Sequence, residues 1–137
     1  MNKLEFKDYS KNVKKAITDA SKAWLYEASA EIVSQTKRNT AVDTGQLKGS
    51  WTAVVDEEKG EATMGSPLEN AVWEEFGTGE YALKGNGRKG GWFYKDAKGN
   101  GHFTFGKRPR RAFWKAYVTT KPKILKRAEE IFKENLK

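Results

Sequence analysis

Apolar residues recur every three to four positions between 10 and 38. Val13, Ala16, Ile17, Ala20, Trp24, Ala28 and Ile32 carry the stripe, with Glu31 and Gln35 in the same register. That period predicts one long amphipathic helix, unbroken by Pro or Gly, with Asp8 or Ser10 placed to cap its start. Its small residues Ala16, Ala20, Ala23 and Ala28 invite close packing, with the chain's own sheet as the expected partner. From Leu47 the period shortens to two: Leu47, Gly49, Trp51, Ala53 and Val55 alternate with more polar neighbours, which predicts a strand over 47–56. Glu57-Glu58-Lys59-Gly60 reads as a turn, with Ala62 and Met64 on a returning strand that ends at Pro67. Residues 70–76 (NAVWEEF) fit a helix or a strand equally.

Six glycines punctuate 77–91, and a second hairpin follows: Trp92-Phe93-Tyr94-Lys95 and His102-Phe103-Thr104-Phe105, joined by DAKGNG. Its alternate aromatics are expected to fill a core. The last third is helical again, with Phe113, Trp114 and Tyr117 on one turn and Ile124, Leu125, Ala128, Ile131 and Phe132 as a second stripe. Pro122 between them suits a kink or the first turn of a new helix. Helix, strands and helix in that order predict an α+β fold: an antiparallel sheet with a long N-terminal helix and a C-terminal helix packed against it. At 137 residues this is expected to be a single domain, 1–137, with a flexible, basic glycine-rich loop at about 79–91.

Composition narrows the function classes. Cysteine is absent, which excludes disulfide scaffolds, thiolate-bound zinc and thiol nucleophiles. No apolar run approaches the ~18 residues of a membrane span, and MNKLEFKDYSKNVKK offers no signal-peptide core; the expectation is a soluble intracellular or assembly-bound protein, with no membrane partner. The net charge of +8 is unevenly spread. Residues 1–50 hold nine basic and six acidic residues, 51–83 one basic and eight acidic, and 84–137 sixteen basic and four acidic. An acidic middle beside a basic end can complement copies of itself. It is expected that acidic residues of 56–80 meet basic residues of 84–115 across subunits, with Glu75 and Arg111 as test positions.

Catalytic chemistry is sparse. The one histidine, His102, sits in an aromatic strand and reads as a packing or surface residue. Glu74 and Glu75 are adjacent, so their side chains diverge instead of sharing a substrate; Glu74 reads as a solvated face. Gly85-Asn86-Gly87-Arg88-Lys89-Gly90 matches G-x-G-x-x-G in form, but a strand-like WFYK follows where a phosphate-binding helix should open. The chain reads as a non-enzyme, with no catalytic residue, cofactor or metal ligand assigned. Lys107-Arg108-Pro109-Arg110-Arg111, together with Arg88 and Lys89, supports a rival reading as a basic nucleic-acid-binding module, in which the hairpin aromatics stack bases if they are exposed.

Three short motifs carry a resemblance. Val42-Asp43-Thr44-Gly45-Gln46-Leu47-Lys48-Gly49-Ser50 resembles V-x-T-G-x-L-x-x-S. Glu75-Phe76-Gly77-Thr78-Gly79 is similar to an E-F-G-T-G signature with Ala71 upstream, and Arg108-Pro109 through Phe113 resembles a Pro/Arg approach to the last helix. In this order they resemble the tail-completion or tail-to-head joining proteins of long-tailed bacteriophages, a family also described as minor tail or minor capsid components. Asn70, Glu74 and Ala112 stand where that family often has an aromatic, an apolar residue and a second proline. The resemblance implies a structural protein of a phage or prophage virion, assembled in the host cytoplasm. It further implies a ring, a hexamer, at the neck, with the tail tube protein and head connectors as partners.

The residues themselves give the motifs physical roles. Thr44 and Gly45 would turn the chain from helix to strand, with Leu47 and Ser50 following. Gly77 and Gly79 would flank Thr78 in a tight turn anchored by Phe76. Glu75 would accept backbone N–H groups of that turn or meet Arg111. Lys107, Arg108, Arg110, Arg111, Arg88 and Lys89 are the candidate contacts to a subunit or to DNA.

Overall fold

The computed structural model describes residues 10–40 and 45–136. Thr44, with Val42 and Asp43 of the first motif, lies outside the described residues, as does the candidate cap Asp8. The elements are mixed α+β. Helix α1 (Ser10–Asn39) is followed by the one-turn helix α2 (Gln46–Ser50) and the hairpin β1 (Thr52–Asp56)–β2 (Glu61–Gly65). Helix α3 (Glu69–Phe76), a single 3-10 turn (Gly79–Tyr81), the hairpin β3 (Trp92–Lys95)–β4 (Gly101–Thr104) and helix α4 (Ala112–Asn135) complete the order.

Helices α1 and α4 pack antiparallel along their length. Each offers a row of small or β-branched residues at multiples of four: Ala20, Ala28, Ile32 and Thr36 on α1, with Trp24 between the first two, and Ala112, Ala116, Thr120 and Ile124 on α4. Ridges of that spacing interdigitate and bring backbones close. The buried Thr36 and Thr120 hydroxyls donate to the carbonyls of Ile32 and Ala116 one turn earlier, so their burial leaves no donor unpaired. Trp24 Nε1 donates to the Ile124 carbonyl at 2.7 Å, tying the helices together midway. The Ala-bearing face of α1 therefore meets α4 as its main partner, with β1 and β2 secondary. Val13 and Ile17 at the head of the sequence stripe are exposed.

The antiparallel β-structure comes as two separate two-stranded hairpins. In β1–β2, Ala53 pairs with Met64 and Val55 with Ala62, and Met64 packs on the core of Ala28, Ile32 and Ile124. Two local expectations are corrected. Leu47 to Ser50 form a helical turn where alternation predicted strand: Gly45, at φ +80°, is the residue that opens α2. Pro122 does not open a new helix but lies inside α4; it and Val118 four residues earlier are both exposed, so water can take the carbonyl that a proline leaves without an N–H. Residues 69–76, open between two readings, are helical.

Candidate functional site

The three motifs converge where α1 ends and α4 begins. Leu47 from the first motif, Glu74 and Glu75 from α3, and Arg110 and Ala112 from the third motif line one small cavity with Thr40 and Trp51. Trp51 is held from both sides: its Nε1 donates to Thr40 Oγ1 at 2.9 Å, and its ring stacks on Phe113 with centroids 6.1 Å apart. Ser50 closes the first motif by sharing a hydrogen bond with Ser66 at 2.6 Å, joining the entry of β1 to the exit of β2.

Glu75 is the centre of this junction. It is 8% exposed, and its two carboxylate oxygens accept the backbone N–H groups of Phe113 (3.0 Å) and Trp114 (2.9 Å). These belong to the first turn of α4, whose N–H groups have no partner within the helix. Arg111, the residue before the helix, supplies no side-chain cap. A carboxylate brought from another helix caps α4 and complements its dipole. Glu75 thus accepts backbone N–H bonds, but from α4 in place of its own turn. Arg111, its other expected partner, lies over the Trp114 ring at 5.0 Å. Arg111 itself sits at φ +55°, a conformation that is costly for a side chain with a Cβ.

The reading of Glu74 as a solvated face is corrected. Its side chain is 20% exposed and ion-pairs with Lys107 Nζ and, at 3.6 Å, with Arg110 Nε. Its backbone carbonyl also accepts the Arg110 N–H at 2.7 Å.

The glycine turn completes the lock. Thr78 exchanges two hydrogen bonds with Lys107: its N–H donates to the Lys107 carbonyl (2.9 Å), and its Oγ1 accepts the Lys107 N–H (2.8 Å). Gly77 and Gly79 have φ of +75° and +60°. A Cβ on Gly79 would lie 2.1 Å from the Phe105 carbonyl, and one on Gly77 2.8 Å from that of Lys107, so this crossing of two chain segments requires glycine at both places. Phe76 is 36% exposed, lies beneath the Lys84 ammonium, and shares a cavity with Met64, Ala71 and Phe113. Pro109 packs against Gly77.

The basic candidates are divided among different partners. Lys107 and Arg110 serve Glu74. Arg108 lies 4.7 Å over the Tyr81 ring, and Arg88 5.6 Å over Trp92. Lys89 is exposed beside them in the glycine-rich segment, which runs into β3 and not into a helix.

The sequence analysis missed one exposed aromatic surface. The β3–β4 aromatics were expected in a core, yet Phe93, Tyr94, Phe103 and Phe105 are exposed. The available signal was that β3 carries aromatics on both of its faces, so a lone hairpin cannot bury them all. His102 also has a carboxylate partner that its near neighbours in sequence did not suggest. Its Nε2 meets Asp96 Oδ2 at 2.9 Å, across the DAKGNG turn. That bond and the N–H groups of Asn100 and Lys98 hold the Asp96 carboxyl below its ordinary range. Among the described residues, no three His, Asp or Glu side chains group as a metal site, and no helix is long and apolar enough to cross a membrane.

Comparison with known proteins gives one result. No curated protein and no solved structure matches the chain. A family model described as "Bacteriophage HK97-gp10, putative tail-component" matches residues 5–77, a span that holds α1, the first motif, β1–β2 and the capping Glu75 with Phe76 and Gly77. The match takes in more than half of the chain, and the protein belongs to this HK97-gp10-like family of bacteriophage tail components.

Proposed function

We propose that this tail protein completes the phage tail and joins it to the head, as a ring of identical subunits at the neck, with six copies as the expected number. Its partners on this reading are its own copies, the tail tube protein and the head connector proteins, and its place is the virion after assembly in the host cytoplasm. The observation that carries the reading is a pair of oppositely charged hairpins on one chain. Asp56, Glu57, Glu58 and Glu61 stand against Lys59 at the β1–β2 tip, while Lys84, Arg88, Lys89, Lys95 and Lys98 stand against Asp96 around β3. Two different surfaces of opposite charge favour a head-to-tail contact, and such a contact closes into a ring when the rotation allows.

Because Glu74, Glu75, Lys107 and Arg110 are engaged within their own chain, the intersubunit pairing falls to residues 56–61 and 84–98. The work of the ring is assembly chemistry: it caps a finished tube and presents a surface on which a DNA-filled head docks. Electron microscopy of particles made without this gene product tests it. Overlong or headless tails are expected; normal joined virions would overturn it.

The exposed aromatics beside lysines and arginines favour a second reading, a nucleic-acid-binding module. It requires salt-sensitive DNA binding by the isolated protein, weakened when Arg108, Arg110 and Arg111 become Ala. No binding at low salt rejects it.

A further inference from the structure

The β3–β4 hairpin carries an apolar ladder on one face. Phe93 pairs with Phe103 across the strands, their rings edge to face at 4.9 Å, and Phe103 meets Phe105 in the same way at 5.2 Å. Phe93 is 80% exposed, Phe103 49% and Phe105 47%. Two strands with such a face in water form a marginal unit, and contiguous exposed apolar surface marks a binding site. Phenylalanine has no polar tip, so the ladder fits an apolar receptor. Its surroundings are basic, with Lys95 and Lys98 at the hairpin end and Asp96 already engaged by His102.

A receptor of matching character lies on the same chain. Between α1, β2 and α4 a cleft of about 320 Å³ is lined by Leu25, Ala28, Met64 and Ile124, and Trp24 and Ile124 continue it into a second cleft of about 550 Å³. Gly60, Glu61 and Ala62 form part of the rim of the first cleft, which places the acidic β1–β2 tip beside an apolar opening. Two of the three cations of the second cleft are paired within the chain, Lys123 with Glu31 and Arg127 with Glu27 and Glu130, and Lys126 is the third. Among the described residues, Lys95 and Lys98 of the arm and Glu58 and Glu61 of the acidic tip enter no ion pair within the chain.

We propose that the β3–β4 hairpin of one copy lays its phenylalanine ladder into the α1–β2–α4 cleft of a second copy, with Lys95 and Lys98 against the acidic β1–β2 tip. Arm and cleft are different surfaces, so the contact is heterologous and repeats from copy to copy. The inference rests on the ring reading above and names its subunit contact.

The test places the photo-crosslinker p-benzoylphenylalanine at position 93 of the full chain, mixes isotope-labelled and unlabelled copies, and maps the products by mass spectrometry. Links from position 93 of one copy to Leu25, Met64 or Ile124 of another are expected. Phe93→Ser with Phe103→Ser weakens association at least about tenfold while leaving the monomer's melting temperature unchanged. Lys95→Glu with Lys98→Glu does the same, and Glu58→Lys with Glu61→Lys in the partner restores it.

Links confined to one copy, links to another surface, or a protein monomeric at all accessible concentrations would overturn the contact. So would binding of a single-stranded oligonucleotide of about 20 nucleotides that Phe93→Ser abolishes, since nucleic acid would then occupy the ladder. Rings that form regardless of these variants defeat this contact and leave the ring reading standing. Normal virions without the gene product defeat the ring reading itself.

Discussion

The two hairpins have similar lengths and opposite circumstances. β1–β2 lays Met64 onto α1 and α4, and its ends are clasped by Ser50 and Ser66. Its residues outside that face are mostly charged or small. Among the described residues, β3–β4 is fixed at its base, where Glu80 N–H donates to the Phe105 carbonyl and Gly79 packs beneath Phe105 and Gly106; it leaves its large aromatics in water. The first hairpin completes the subunit's core, and the second is held out from it. The exposed apolar surface stands in front of the hydrogen-bonded junction of Glu75, Thr78 and Lys107; in the contact proposed above, that surface is what one copy offers to the next.

The comparison breaks most severely at the base of the second hairpin. Gly79→Ala forces a Cβ into the Phe105 carbonyl at a left-handed backbone, and is expected to lower stability by at least about 2 kcal/mol, read as a fall in the urea midpoint with loss of β3–β4 amide protection. Next, Glu75→Ala removes both acceptors from the start of α4 and is expected to cost about 2 kcal/mol; Glu75→Gln, which keeps a carbonyl acceptor, should cost less.

Truncating one apolar residue in each hairpin sharpens the contrast. Met64→Ala should destabilise by about 1–2 kcal/mol as a half-buried core contact, whereas Phe93→Ala should stay within about 0.5 kcal/mol for the monomer. Equal costs would erase the distinction between a core hairpin and a presented one. The smallest effect is at the β3–β4 turn. Because the folded Asp96 carboxyl titrates below its ordinary value, its support of the turn is complete above about pH 4 and is lost as pH falls through the lower folded value. Lower protection of the Lys98 and Asn100 amides, relative to the intrinsic exchange rate at each pH, is expected on acidification, and Asp96→Asn should flatten that dependence.

The family match ends at Gly77, while Thr78 and Gly79 and the whole third motif lie beyond it. Yet the matched and unmatched parts are bonded through Glu75 to α4 and through α3 to Lys107 and Arg110. The capping carboxylate thus joins the part of the chain shared with the family to the part that carries the arm.

Several features were legible in the residues alone because they depend on neighbours in sequence. A helical period over 10–38 gave α1, turn residues at 57–60 gave the first hairpin, and Gly77-Thr78-Gly79 gave a tight turn whose crossing tolerates no Cβ. What tertiary structure alone decided depends on partners far along the chain. Leu47 and Trp51 alternate as a strand would, but a left-handed Gly45 and a seat for Trp51 between Thr40 and Phe113 make the segment a helical turn. Glu75 is a cap because α4 begins beside it, and Glu74 is paired because Lys107 and Arg110 pass over it. The aromatics of β3–β4 carry the pattern of a core, and only the absence of a covering element among the described residues leaves them facing outward. Periodicity states which residues can share a face; burial of that face depends on what the rest of the chain brings to it.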